Sequence, residues 1–308
     1  MTPDFRFDGV LTPVVMPFDT DLLPDPDRLI AQCRWLLSQN VGIAVFGTNS
    51  EANSLSVEEK IELLDRLVDS GIDPLRLMPG TGLCALPESV RLSAHAARLG
   101  CGGALMLPPF YYKGVSDEGL FRSYSEIIER VGDDRLKVYL YHIPPISNVG
   151  ISLDLIERLI ARYPQTVVGI KDSSGDWGNT LAMLDRQWDR FSVFAGSEAF
   201  LLQTMQNGGA GCISATANIN PMAIHKLFDT WQDANAEEEQ MKLTQLRQVV
   251  LDFPGIPALK AIVSHFRRDD EWLRVRPPLV ELGEAQRREL LAAVKSLGLQ
   301  LPGINAGQ

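Results

Sequence analysis

The strongest constraint on the fold of this chain is a regular alternation between short apolar runs and longer segments with helical periodicity. Eight short runs rich in β-forming residues lie at 10–15, 42–46, 76–78, 104–107, 137–141, 167–171, 192–195 and 211–214. Helical periodicity fills most of the intervals, and residues 153–162 place Leu155, Ile156, Leu159 and Ile160 on one face. Apolar strands that alternate with helices belong in a parallel sheet covered by helices.

The count of eight strands predicts an α/β fold of the closed (β/α)8 TIM-barrel type. A doubly wound open sheet is the alternative, but no G-x-G-x-x-G motif follows the first run. After the eighth run no strand-like segment remains, and four segments have helical character, at 221–231, 237–251, 256–266 and 284–297. We therefore expect a barrel domain at residues 1–232, which carries the active site, and a C-terminal helical extension at residues 233–308.

The amino-acid composition of the chain limits the kinds of partner that it is expected to bind. Hydrophobic residues make up 45% of the chain and its formal net charge is -10, which argues for a soluble globular protein and against nucleic acid or anionic membranes as partners. No apolar run approaches the length of a membrane span, and the first residues lack the apolar region of a secretory signal. The 4 cysteines lie far apart without C-x-x-C spacing, so we expect free thiols in a reducing, cytoplasmic environment.

The run at 167–171 ends on Lys171, an unusual place for a charged side chain. An ammonium group at the end of a buried strand must be paired, reach water or lose its proton. A deprotonated amine is a nucleophile, which is one chemical reason to place a lysine there. A salt bridge between Lys171 and Asp172 is the structural alternative.

The other predicted strand ends carry hydroxyl groups and glycines, and they offer no cluster of histidines and carboxylates that would suit a metal. Thr48, Asn49 and Ser50 follow the second run, Tyr141 ends the fifth, and His142 comes directly after it. An amine surrounded by hydroxyls without a metal suits Schiff-base chemistry on a carbonyl compound. The alternatives are structural: the loop side chains could satisfy backbone amides, the tyrosine could be a core residue, and the histidine could hold a structural hydrogen bond.

Four motifs at these strand ends carry a resemblance to a known family. They are GTNSE at 47–51, YHIP at 141–144, GIKDSSGD at 169–176 and GCISATANI at 211–219. With them, and from its opening GVLTPVVMPF to its C-terminal FPGIPALKA, the chain resembles the dihydrodipicolinate synthase / N-acetylneuraminate lyase superfamily of class I aldolases. The resemblance implies a (β/α)8 barrel with a C-terminal helical domain, no organic cofactor, and a homo-oligomer of two or four copies.

The resemblance also implies roles for individual residues. Lys171 would form a Schiff base with the ketone of pyruvate or of a longer 2-oxo acid, while Tyr141 would shuttle protons with Thr48 in the relay. Tyr112, less securely Tyr111, would reach across a dimer interface. The positions that the resemblance assigns to substrate binding are Gly47, Asn49, Ser50, His142, Ile146, Ser173, Gly196 and Ile213.

Positions where this chain differs from the family pattern affect which substrate is expected. A threonine-glycine pair is common after the second strand, where this chain has Asn49 and Ser50. Members that make dihydrodipicolinate carry an arginine shortly after a YNxP motif, to hold the carboxylate of the second substrate. Ile146 falls at that place and cannot make a bidentate contact, and His142 replaces the asparagine.

These observations predict a Schiff-base lyase that joins or separates pyruvate and an aldehyde, with a 2-keto-3-deoxy sugar acid as one candidate substrate. Two alternatives use the same imine, 4-hydroxy-tetrahydrodipicolinate synthesis and dehydration of a 2-keto-3-deoxy acid, and the missing arginine disfavours the synthase. An alternative of another class is a sensor that binds 2-oxo acids without turnover. The sequence does not distinguish among aldehydes.

Overall fold

The structure is a computed structural model, and it describes residues 5–305. Its sheet consists of parallel strands, which are β1 (Gly9–Thr12), β2 (Gly42–Ile43), β3 (Ala104–Met106), β4 (Val138–His142), β5 (Val167–Asp172), β6 (Ser192–Ala195) and β7 (Gly211–Ile213). Their order across the curled sheet is β2-β1-β7-β6-β5-β4-β3. The parallel α/β architecture predicted from the alternation of strands and helices is therefore present.

The segment 77–81 links the two ends of this sheet. Leu77 forms a parallel bridge with Ile43 of β2, and Gly80 forms one with Leu105 of β3. The backbone N–H of Met78 donates to the carbonyl of Ile43 at 2.8 Å. The strand order and these bridges together close the sheet into a ring.

The prediction of a strand at 76–78 is wrong, because only isolated bridges form there. Residues Pro74–Arg76 make a 3₁₀ turn, which the carboxylate of Asp73 begins by accepting from the N–H of Leu75 at 3.0 Å. Pro79 lacks an N–H group and cannot donate to a ladder. The turn and the proline leave too short an interval for a regular strand.

Helices cover the outside of the ring and continue beyond it. They are α1 (Pro26–Ser38), α2 (Val57–Asp69), α3 (Leu86–Leu99), α4 (Asp117–Val131), α5 (Pro144–Ser147), α6 (Leu153–Arg162), α7 (Trp177–Leu184), α8 (Leu201–Gln206), α9 (Pro221–Asp229), α10 (Ala236–Leu251), α11 (Gly255–Arg267) and α12 (Glu284–Ser296). The start of α2 shows how the sequence sets these bounds. Ser56 accepts from the N–H of Glu59 at 3.1 Å, and the Glu59 carboxylate accepts from the N–H of Ser56 at 2.8 Å.

Alternation along each strand separates the inside of the ring from the helical layer. On β4, Tyr139 and Tyr141 belong to the cluster that fills the interior, while Val138 and Leu140 pack among residues of the surrounding helices. The interior cluster also contains Phe194 and residues from most other strands. The carboxyl ends of these strands therefore meet above a packed apolar core.

The helices α10, α11 and α12 pack together against one side of the ring. Val250, Ile262 and Leu290 form a buried cluster there with Val15 and Ile219. No single helix within residues 5–305 has the length and apolar composition of a membrane span. The consecutive helices α10 and α11 meet that test only when taken together, and they are bent by 108° relative to each other.

Candidate active site

A cavity of about 280 Å³ lies at the carboxyl ends of the strands. Its walls come from the residues that follow β2, β4, β5, β6 and β7, and from α10 and α11. The predicted site residues that line it are Thr48, Asn49, Tyr141, Ile146, Lys171, Ser173 and Gly196. Residues far apart in sequence thus meet at one place because parallel strands end at the same edge.

The amine of Lys171 is buried but unpaired. The residue is 3% exposed, and it lies beside Tyr141 in the register of β4 and β5. Its Nζ lies 4.4 Å from the centroid of the Tyr141 ring. Within residues 5–305 it has no ion-pair or hydrogen-bond partner, so the amine is free to meet a ligand in the cavity.

The salt bridge between Lys171 and Asp172 does not form. Asp172 is the next residue on β5, and its carboxylate is occupied on the other side of the strand by donors from the following loop and α7. The donors are the N–H of Ser174 at 2.9 Å, its hydroxyl at 3.1 Å, Asn179 Nδ2 at 3.0 Å and Thr180 Oγ1 at 2.7 Å. Successive residues of a strand point to opposite faces, which separates the two charges.

Two hydroxyl groups belong to residues that line the same cavity as this amine. Thr48 Oγ1 and Tyr141 Oη are 3.2 Å apart. Thr48 begins a 3₁₀ turn, Thr48–Ser50, that follows β2, whereas Tyr141 is the fourth residue of β4. The pair forms a short path along which a proton can move between the cavity and the loop after β2.

Ser50 does not reach the cavity, although it was among the predicted binding residues. Its hydroxyl donates to the carbonyl of Val14 and accepts from the N–H of Phe46 at 3.0 Å. The residue is fully buried. Both bonds are used to hold the loop after β2, which is the structural role that polar loop residues commonly take.

His142 is also turned away from the cavity. Because Tyr141 faces the interior of the ring, the next residue faces the helices. Its Nδ1 accepts from the N–H of Ile151 at 2.9 Å, and burial lowers the pKa of the imidazole, an effect that Asp172 opposes. The ring is therefore neutral, with its proton on Nε2, and it fastens the loop before α6.

Gly47 and Ile213 lie near the cavity without lining it. Gly47 lines a separate space of about 30 Å³, which it shares with Thr48, Tyr141 and Lys60. Ile213 is fully buried in the interior cluster. Neither position presents side-chain chemistry to the cavity.

Tyr112 lies outside the cavity of its own chain. Tyr111 and Tyr112 are each 74% exposed, and their ring centroids are 5.3 Å apart in an edge-to-face arrangement. Neither ring lines the cavity that contains Lys171. A role for Tyr112 in catalysis would therefore need a second copy of the chain.

Comparison with known proteins places this architecture in a family. The model of the dihydrodipicolinate synthetase family matches residues 6–297. The chain belongs to that family. Like the other members, it is an enzyme of the lyase class.

Individual members resemble the chain over nearly its whole length. An uncharacterized DapA-like lyase of Chloroflexus aurantiacus is 30% identical over 94% of this chain and 96% of its own. A 4-hydroxy-tetrahydrodipicolinate synthase of Thermodesulfovibrio yellowstonii is 29% identical over 95% and 99%. Named activities among these relatives therefore include the synthase.

Solved structures of the family agree with the fold. The crystal structure of dihydrodipicolinate synthase from Agrobacterium tumefaciens has 31% sequence identity and a TM-score of 0.87, over 95% of this chain and 99% of that one. YagE, a prophage protein of the same family from Escherichia coli, was crystallised in complex with pyruvate. It has 26% identity and a TM-score of 0.87, over 96% of this chain and 99% of its own.

In this member of the dihydrodipicolinate synthetase family, the cavity also contains a guanidinium group that sequence reasoning missed. Arg247 of α10 lines the cavity, and its Nη1 lies 3.2 Å from Oε2 of Glu198. A signal was available, because Arg247 interrupts an otherwise apolar face of α10 formed by Leu243, Leu246 and Val250. Nothing in the linear sequence shows that this face meets the strand ends.

Metal ligands are absent from the described part of the site. Within residues 5–305, no group of three or more histidine, cysteine, aspartate or glutamate side chains could hold a metal ion. The polar side chains around the cavity are instead an amine, a guanidinium, an amide, several hydroxyls and the carboxylate of Asp172. This set suits acid–base and nucleophilic chemistry at a carbonyl group.

Proposed function

We propose that this chain is a Schiff-base-forming lyase in which Lys171 makes an imine with pyruvate or with a longer 2-oxo acid, such as a 2-keto-3-deoxy sugar acid. The observation that carries the proposal is the unpaired, buried amine of Lys171 at a cavity that also contains Tyr141. A lysine amine with no counter-ion, placed at a cavity, can act as a nucleophile toward a carbonyl group. The crystallised complex of YagE with pyruvate supports the choice of ligand.

The proposed reaction proceeds in steps that involve Lys171, Tyr141 and Thr48. The Lys171 amine adds to the ketone carbon, and the carbinolamine loses water to give a protonated imine, which withdraws electrons from the adjacent carbon. Cleavage of the bond between the third and fourth carbons then leaves an enamine and releases an aldehyde, and the reverse steps join the two. The hydroxyl of Tyr141 gives and takes the proton at the carbinolamine and aldehyde oxygens, and Thr48 passes it on.

Binding of the substrate carboxylate is assigned to the loop after β2. Thr48 and Asn49 line the cavity in a 3₁₀ turn, whose first backbone N–H groups have no partner within the turn. Backbone N–H groups at such a turn can hold a carboxylate. Gly196 and Ser173 complete the wall beside Lys171.

The second candidate is 4-hydroxy-tetrahydrodipicolinate synthase, which the names of several relatives favour. The same imine would serve it, as it would serve a dehydratase. Ile146 lines the cavity at the place where the sequence resemblance puts the arginine of the synthases. Because an isoleucine cannot bind a carboxylate bidentately, we place the lyase first.

Assembly is part of the proposal. An exposed pair of tyrosines that is remote from its own cavity supports a homo-oligomer, dimer or tetramer, in which Tyr112 reaches a neighbouring site. The division into a barrel at 1–232 and a helical domain at 233–308 belongs to the same proposal. Arg247 and Leu259, from the second part, line the cavity of the first.

Trapping with borohydride tests the mechanism. The protein is incubated with pyruvate and borohydride, and peptide mass mapping locates the reduced adduct. We expect it on Lys171 and expect none in Lys171→Ala, while Lys242→Ala, which removes an exposed lysine of α10, keeps the adduct. Absence of any adduct on Lys171 would exclude both the lyase and the synthase.

Turnover separates the remaining functions. The wild-type protein is assayed with pyruvate and a panel of aldehydes that includes aspartate semialdehyde, and with 2-keto-3-deoxy sugar acids. Release of pyruvate from the sugar acids identifies the lyase, and loss of water from them identifies the dehydratase. Consumption of aspartate semialdehyde alone identifies the synthase. An adduct on Lys171 without any turnover identifies a sensor.

A further inference from the structure

Arg247 presents hydrogen-bond donors to the cavity that contains Lys171. Its side chain is 21% exposed. Its one hydrogen bond within residues 5–305 runs from Nη1 to Oε2 of Glu198. A guanidinium carries five N–H donors, so four remain for a ligand.

The carboxylate of Glu198 holds the guanidinium of Arg247 in position. The carboxylate is 1% exposed and accepts from the hydroxyls of Ser214 and Thr216. Gln240 of α10 donates to the backbone carbonyl of Glu198 at 2.9 Å, about two turns before Arg247 on the same helix. The arginine is therefore held in one place before any ligand arrives, which reduces the entropy lost on binding.

The surroundings of Arg247 favour an anion over another polar ligand. Much of the wall of the cavity that Arg247 lines is apolar. The apolar residues in this wall are Ile143, Ile146, Phe200, Val250, Leu251 and Leu259. Asp172 also lines the cavity, but its carboxylate oxygens already accept hydrogen bonds from four donors. Charge-assisted bonds to a guanidinium are stronger in such a partly dry site than in water.

Arg247 and Lys171 are two separate nitrogen-bearing side chains that line one small cavity. They come from different elements, α10 and β5, and only Lys171 lies against Tyr141. A ligand whose ketone carbon meets Lys171 can therefore place its other end at Arg247.

We infer that Arg247 binds a carboxylate at the end of the substrate that is remote from the carbon attacked by Lys171. The inference rests on the proposed function and specifies its substrate class: a 2-oxo acid with a second carboxylate, or pyruvate paired with an aldehyde that carries one. The cation that Ile146 cannot supply comes instead from helix α10. A single guanidinium, partly neutralised by Glu198, matches one negative charge better than a phosphate dianion.

The test compares 2-oxo acids that differ only at the remote end. The concentration that gives half-maximal borohydride trapping on Lys171 is measured for 2-oxoglutarate against 2-oxopentanoate, and for 2-oxoadipate against 2-oxohexanoate. A phosphonate, 2-oxo-4-phosphonobutanoate, is the third arm. We expect at least one dicarboxylate to be trapped at a concentration about 10- to 100-fold lower than its matched monocarboxylate, the effect of a charged hydrogen-bond pair.

Variants of Arg247 test whether this residue causes the preference for dicarboxylates over monocarboxylates. In Arg247→Gln, which keeps a donor toward Glu198, the preference should fall to about twofold or less, and in Arg247→Lys it should be intermediate. The ratio is taken within each variant, so a general loss of imine formation cancels. Arg288→Gln, which removes an exposed arginine of α12, should leave the ratio as in the wild type.

Each outcome has a separate meaning. Trapping of pyruvate with no preference for either dicarboxylate overturns the inference and leaves the proposed function standing. A preference that survives in Arg247→Gln also overturns it. Tighter trapping of the phosphonate than of 2-oxoglutarate would replace the carboxylate by a phosphate. If no 2-oxo acid is trapped on Lys171, the proposed function itself fails, and the inference fails with it.

Discussion

The Nζ of Lys260 lies 2.8 Å from Oε1 of Glu51, and both side chains are completely shielded from solvent. Glu51 follows the turn that carries Thr48, and its backbone is in the left-handed region with φ of 51°. Its other oxygen accepts from the N–H of Arg276 at 2.8 Å. This pair therefore connects the loop after β2 to α11 across 209 positions of sequence.

Removal of one partner of this pair should be strongly destabilising. We expect Lys260→Met to lower the free energy of unfolding by about 3–5 kcal/mol, since it leaves a buried carboxylate without its counter-ion. Urea unfolding measures the change. Glu284→Gln breaks an exposed pair with Arg288 and should cost about 0.5 kcal/mol or less. Similar costs for the two variants would contradict the assigned importance of the buried pair.

Lys60 should make stability depend on alkaline pH. It is buried on α2 without an ion pair or hydrogen bond to the described residues, and burial lowers its pKa to about 8, an effect that Glu59 opposes. Between pH 8 and the ordinary value of 10.5, the unfolded chain binds more protons than the folded one. The contribution of Lys60 to the free energy of unfolding is therefore unfavourable below pH 8 and is relieved as the pH rises through this window.

The variant Lys60→Met tests this dependence. It should be more stable than the wild type at pH 7, by about 3 kcal/mol or less, and the advantage should shrink by pH 10. Urea unfolding at the two pH values gives the difference directly. An advantage that stays constant with pH would show that the lysine is not desolvated.

His142 should make the protein sensitive to acid. Its pKa is lowered by burial, so below the ordinary value of 6.5 the unfolded chain takes up a proton that the folded one does not. The free energy of unfolding should therefore fall as the pH drops below 6.5. His142→Asn keeps an acceptor for the N–H of Ile151 and should flatten this fall between pH 7.5 and 5.5, whereas His265→Asn at an exposed position should not.

Tyr141 should matter for turnover more than for imine formation. If its hydroxyl moves protons together with Thr48, Tyr141→Phe should lower kcat by about 10²- to 10⁴-fold and change pyruvate trapping much less. Tyr139→Phe is the matched control, because that hydroxyl faces the same side of β4 but accepts from the N–H of Phe7. Equal losses of turnover and trapping in Tyr141→Phe would remove the proposed shuttle.

Gly196 should tolerate no side chain. A Cβ atom there would lie 2.1 Å from Ser173 Oγ and 2.7 Å from the carbonyl oxygen of Asp172. Gly196→Ala must therefore displace the chain beside Lys171, at a cost of about 1–3 kcal/mol and with weaker trapping of pyruvate. Gly255→Ala, in the same cavity wall but with nothing within 4 Å, should leave both measurements near the wild-type values.

Part of the site could be predicted from the sequence because a single property of parallel sheets determines where its residues lie. In a parallel sheet all strands end at the same edge, so Lys171, Tyr141 and Thr48 could be grouped from their places after apolar runs. The structure lines one cavity with these three residues. The capping box at Ser56 and Glu59 was also predictable, since its spacing is local.

The rest depends on features that no run of residues reveals. His142 and Ser50 have polar side chains at the correct strand ends. His142 nevertheless faces the helices and accepts from the N–H of Ile151, and the hydroxyl of Ser50 is taken up by the backbone of Val14 and Phe46. Between β4 and β5 the register shifts, Val138 pairing with Val167 and Tyr139 with Gly169. Such a shift changes which residues face the interior, and periodicity alone does not locate it.

The closure of the ring by the segment 77–81 limits how copies of this chain can associate. Leu77 and Gly80 give β2 and β3 bridging partners, so within residues 5–305 neither end of the sheet remains an open edge. An open edge can template pairing with a strand from another molecule. The proposed assembly must therefore use side-chain surfaces, such as the one around Tyr111 and Tyr112, and cannot proceed by extending the sheet from one copy into the next.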